Sequence, residues 1–211
     1  MTIADVQKLF GKNLIGTNEL ETLAGSFSFG TLSAPEIPFG EKTLTVHKDS
    51  HILIFTPRVF ADGKSITLNA LRDLFGMDPS VSEPCMYNQD WYLKEDFAAT
   101  TSLDGAWHLI RKDVIEEARA KRPDDIEESL HDEQFPTAVT CAFTFFAWWL
   151  LTKGERLWDH DFTWCRDRDH NGDRIYVGRY TDPIGINKNG FNIHRHLSLR
   201  PSYSAAPEIL N

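Results

Sequence analysis

Two stretches in the C-terminal third hold the densest group of side chains able to do chemistry. The first, Asp167-Arg168-Asp169-His170-Asn171-Gly172-Asp173, is a D-x-D-x-N-G-D run. Asp167, Asp169, Asn171 and Asp173 carry oxygens around a turn glycine, and calcium takes six to eight oxygens from such alternating positions. The run matches the first half of an EF-hand loop. It departs at the twelfth position, which is Gly178 where a bidentate Glu belongs, and Ile175-Tyr176-Val177 reads as strand, not as an exiting helix. The same residues suit a plain hairpin, because Asn-Gly is a strong turn signal and Asp side chains bond their own backbone in turns.

The second stretch is His194-Arg195-His196. Residues two apart on a strand share a face, so His194 and His196 present two imidazoles together. Neutral imidazole suits zinc, iron or manganese. A third ligand would come from Asp159, His160, Asp161 or His51. The cofactor implied, if one binds, is a divalent metal: zinc at the histidines or calcium at the acidic loop. The ordinary alternative is a solvated polar strand face.

Other groups carry less. Cys165 lies near the acidic loop, but a nucleophilic cysteine needs a neighbour that depresses its pKa. Tyr87, Trp91, Tyr92, Phe97 and Trp107 alternate with polar residues. Exposed, they would stack on a sugar or a base; buried, they would anchor an irregular segment. There is no Walker A loop, no G-x-G-x-x-G fingerprint and no G-x-S-x-G elbow.

The elements that must position these groups can be read from periodicity. Residues 2–10 read as a helix capped by Thr2 and stopped by Gly11, and 18–24 as a second, closed by Gly25. The Gly/Ser/Pro-rich stretch 25–40 is an irregular connection. Thr43 to His47 and His51 to Phe55 read as a hairpin around Lys48-Asp49-Ser50. Asp62-Gly63 marks a turn. Leu68, Leu71, Leu74 and Phe75 fall at helical spacing behind Thr67. Residues 107–112 read as a strand, 113–122 as a charged helix, and 125–131 as an acidic helix.

Pro136, suited to a first helical position, opens a helix, and from Thr137 to Thr152 both faces are apolar, which requires burial all round. The region 160–200 is strand-rich, with Phe191 to Leu199 alternating strictly. The expected fold is α+β: one compact domain with a mainly antiparallel sheet packed on that central helix.

Composition bounds the function. The 211 residues fit one domain, with six Trp and fourteen Phe available for a core. A net charge of −9 makes non-specific nucleic-acid binding unlikely. Three scattered cysteines without a C-x-x-C argue against a disulfide framework. The longest apolar run is too short for a bilayer, and no signal peptide is recognisable. The expectation is a soluble cytoplasmic domain that binds a protein partner or small ligand without catalysis. The alternative is a metal-dependent hydrolase at His194 and His196, with a metal-bound water as nucleophile and Asp169 or Asp173 as base. A second alternative is an acidic protein competing with nucleic acid for a basic partner through Asp124, Asp125, Glu127, Glu128, Asp132 and Glu133.

Overall fold

The computed structural model describes residues 1–180, 189–195 and 199–211, with the side chain of Tyr180 left aside. Its elements are α1 (Ile3–Phe10), β1 (Leu14–Ile15), α2 (Thr17–Thr22), α3 (Ala24–Phe27), α4 (Glu41–His47), β2 (His51–Phe55), α5 (Leu68–Phe75), α6 (Asp96–Ala99), β3 (Trp107–Arg111), α7 (Pro123–Ser129), β4 (Glu133–Gln134), α8 (Ala138–Thr152), β5 (Phe162–Arg168), β6 (Arg174–Tyr180), β7 (Gly190–His194), β8 (Tyr203–Ser204) and β9 (Glu208–Ile209). The fold is α+β. One sheet runs β1-β2-β3-β9-β4 and the other β7-β6-β5-β8. β1 pairs β2 and β5 pairs β8 in parallel; the remaining pairings are antiparallel.

The apolar helix is the centre of the molecule. Every residue of α8 from Ala138 to Trp148 is buried. It lies against β5 and β6 on one side and α5 and α6 on another. Phe146 stacks on Phe75 at 4.4 Å between ring centres, and Phe145 meets Phe191 at 5.1 Å. Each such side chain contributes about 1.5–3 kcal/mol on burial. The helix starts two residues after Pro136, because Thr137 serves as its cap and accepts from the Thr140 N–H. Lys153, left-handed at φ 58, ends it.

Three expectations fail for identifiable reasons. Residues 43–47 are not a strand but part of α4. β2 already has β1 and β3 as neighbours, so no edge remains for a hairpin partner. Leu44 then turns inward while Val46 stays exposed, and the Thr45 hydroxyl donates to the Glu41 carbonyl one turn back. Residues 113–122 hold only a 3-10 turn at Glu116–Ala118. The backbone N–H groups of Ile115 and Ala120 donate to the carbonyls of Ala205 and Tyr203, and that long-range pairing displaces the helix. The second helix ends at Thr22, and a separate turn, α3, carries the chain through Gly25.

The acidic loop joins β5 to β6. Asp169 N–H donates to the Asp173 carbonyl, and Gly172 N–H to the Asp169 carbonyl. Only Gly172 takes a positive φ there, at 85°. The connection is therefore a four-residue turn from Asp169, not a two-residue turn centred on Asn171-Gly172. A tighter constraint lies further along β6. A Cβ on Gly178 would overlap the Asp161 carbonyl oxygen, so the β5–β6 approach requires glycine.

Candidate functional site

Among the described residues, those singled out by spacing face different neighbours. Asp167 points at α8, where its carboxylate accepts the Ala138 N–H at 2.6 Å. That places an acid at a helix N-terminus, where charge and bonding both favour it. Burial pushes its pKa up, and the Ala138 bond only partly offsets this. Asp169 points elsewhere. One oxygen accepts from the N–H groups of Asn171 and Asp173, and the other pairs with Arg195 at 2.8 Å. Burial would raise its pKa, but Arg195 and the two backbone donors outweigh it and hold it below the ordinary value. Asn171 is exposed, and Asp173 meets Asp169 through its backbone.

His194 and Arg195, adjacent in sequence, serve different surroundings. The His194 ring stacks on Tyr176 at 5.4 Å and edges against Phe162. Arg195 lies over Trp91 at 4.6 Å and reaches Asp169. His196 lies outside the described residues, as do Leu197 and Ser198 of the expected alternation. Of the other ligand candidates, Asp161 is held by Arg119 at 2.6 Å, and Asp159 faces Arg156 and His160. His51 starts β2 in the other sheet, where burial and the nearby His47, Arg111 and Lys112 push its imidazole down to about 3. Cys165 is fully buried and its thiol is pushed well up by that burial, the opposite of an activated nucleophile.

Among the described residues one set has metal-ligand spacing: Glu95, Asp169 and His170, with ligand atoms within 4.8 Å of one another. It joins one expected ligand to two others that spacing did not suggest. Its charges already have partners. His170 donates to Glu95 from its backbone N–H at 2.9 Å, its ring Nδ1 lies 2.6 Å from the same carboxylate, and Arg195 pairs with Asp169. A metal there would have to displace a guanidinium. The acidic set on α7 is partly spent in the same way: Arg168 and Arg174 pair with Asp124, and Arg174 also with Glu127.

The densest buried polar group is one that no local pattern announces. β9 pairs with both β3 and β4, which seats Glu208 between them. The His108 ring, 7% exposed, is gripped from both sides, with Nδ1 2.5 Å from Glu208 and Nε2 3.1 Å from Asp104. Gln134 donates to the second Glu208 oxygen at 2.8 Å. Asp104 also accepts from the Thr56 hydroxyl and the Ala106 N–H. Burial disfavours the charged ring, yet the two carboxylates more than compensate and raise His108 to about 9. Asp104 is held well below the usual carboxylate range: its own burial opposes this, and His108 overcomes it. With both nitrogens donating, His108 is a fixed cation with no lone pair left to take a proton. The only sequence hint is a histidine inside the otherwise apolar run Trp107-His108-Leu109-Ile110, which must find partners when buried. Its partner Glu208 is 100 residues away.

Two cavities share Trp107 as a wall. The larger, about 780 Å³, lies between the N-terminal elements and the extended segment 32–37, with Leu14, Leu32, Pro35 and Ile37 among its apolar walls. The Trp107 indole N–H donates to the Pro35 carbonyl at 2.9 Å and pins that segment. The charged side chains lining this cleft are Glu19 and Glu36. The smaller cavity, about 140 Å³, has Asp104, His108 and Glu208 in its wall, with Arg166 and Gln134. Among the described residues no helix is long and apolar enough to cross a membrane. The chain matches no protein-family model, no curated protein and no solved structure.

Proposed function

We propose that this chain is a binding domain without catalytic activity of its own, and that its ligand occupies the open cleft beside Trp107. The observation that carries the reading is the cleft itself. It has about 780 Å³ of space, mixed apolar and polar walls, and charged side chains only at Glu19 and Glu36. Small-molecule sites have this size. The favoured ligand has an apolar body and a cationic group. The clamped state of His108 supports binding over proton-transfer chemistry, since its ring nitrogens are already bonded to Asp104 and Glu208. Three free, buried cysteines suit a reducing compartment, and we place the protein in the cytoplasm.

The test is a small-molecule screen enriched in amines, read by the Trp107 indole resonance in ¹⁵N-tryptophan-labelled protein and assigned with Trp107→Phe. Two variants close the cleft. A side chain at Gly16 would press on Glu19 and Trp107, with a Cβ 3.2 and 3.3 Å from them, so Gly16→Val fills it from the floor. Ser33→Trp fills it from an exposed position on the rim. Hits that move the Trp107 signal in the wild type and fail in both variants support the proposal. A screen in which no amine moves it, or in which hits bind the variants equally, removes it.

A further inference from the structure

The smaller cavity has a chemistry of its own. Asp104 receives three donors, from Thr56, Ala106 and His108, and all of them go to Oδ1. That leaves Oδ2 without a hydrogen bond on a carboxylate whose orientation is already fixed, with its side chain 49% exposed. Arg166 lines the same cavity, is exposed, and pairs with no carboxylate among the described residues. Glu208 is already engaged, bonding Gln134 with one oxygen and His108 with the other. An unbonded carboxylate oxygen and a guanidinium without an ion pair therefore line one cavity of about 140 Å³. At about 30 Å³ per water molecule, that is the space of about five waters.

We infer that this cavity is a site for a free α-amino acid with a small side chain, its ammonium donating to Asp104 Oδ2 and its carboxylate held by Arg166. A planar guanidinium binds a carboxylate through two parallel hydrogen bonds, and charge-assisted bonds of this kind are the strong ones. A ligand with a single charge would leave either Asp104 or Arg166 unanswered. A zwitterion with both charges on one carbon answers both. Because three donors pin Asp104 before the ligand arrives, only Arg166 has to be ordered on binding. The walls at Phe39 and Trp107 suit a hydrogen or methyl side chain. The inference does not rest on a ligand in the larger cleft, with which this cavity shares only Trp107.

The test is calorimetric titration of the intact chain with glycine and L-alanine, with methylamine and acetate as single-charge controls. Saturable binding of both amino acids, at least tenfold tighter than either control, is expected. Arg166→Gln, at an exposed position, should weaken it at least tenfold without changing the melting temperature. Asp104→Asn should do the same, but it also removes a partner of His108, so the Arg166 variant decides if that protein is unstable. The inference is overturned if neither amino acid binds at concentrations up to about 10 mM. It is also overturned if the controls bind equally well, or if Arg166→Gln binds as the wild type does.

Discussion

Raising the pH through 9 should withdraw a stabilisation that the fold draws from His108. In the folded chain this imidazole titrates at about 9, against an ordinary value of 6.5. Burial opposes the charged ring, and the bonds to Asp104 and Glu208 outweigh burial. A group whose pKa is raised on folding stabilises fully below its unfolded value, and that contribution fades as the pH climbs to the folded value. The gap between 6.5 and about 9, at about 1.4 kcal/mol per pH unit, comes to about 3 kcal/mol. The ring is buried, so solvent screening does not discount this figure much. The lowered pKa of Asp104 describes the same attraction from the other side and is not added to it. The assay is urea unfolding of the wild type and of His108→Gln, which is neutral at every pH. The difference between them cancels the titrations of groups that do not touch His108, and the ordinary carboxylate range lies below this one, with Asp104 lower still. It should be largest near pH 6 and shrink by about 3 kcal/mol by about pH 9.5. A difference that stays constant across that range would refute the doubly clamped imidazolium.

Other perturbations have equally definite outcomes. Gly178→Ala forces a methyl into the Asp161 carbonyl, which is backbone and cannot swing away, so it should cost about 3 kcal/mol or more and lower the midpoint of thermal unfolding. Asp167→Ala removes the acceptor of the Ala138 N–H at the start of α8 and should cost about 1 kcal/mol in urea unfolding; no loss would mean water replaces the carboxylate there. Arg195→Ala leaves Glu95, Asp169 and His170 without their guanidinium, so zinc should raise the melting temperature of this variant and not of the wild type. An equal zinc effect on both would show that Arg195 does not guard the cluster.

Local sequence settled what local physics controls. Thr2 and Thr67 each cap a helix, because a hydroxyl followed by a helical run satisfies the backbone donors at its start. The all-round apolar run of α8 could only be buried, and it is. The α+β class follows from such elements. What periodicity could not decide was anything set by distant neighbours. Residues 43–47 have strand-like alternation, yet β1 and β3 had taken both edges of β2. Residues 113–122 have helical charge spacing, yet Ala205 and Tyr203 claim their backbone. The acidic loop shows the same limit at a site. Its composition fixed the turn, but tertiary structure sent Asp167 to α8 and Asp169 to Arg195. The cluster at His108 was invisible because Asp104, Gln134 and Glu208 meet only when β9 inserts between β3 and β4. A sequence determines which residues must be buried or capped. Which buried charges meet is decided by strand order, since pairing energy depends on contacts that no short window of the chain contains.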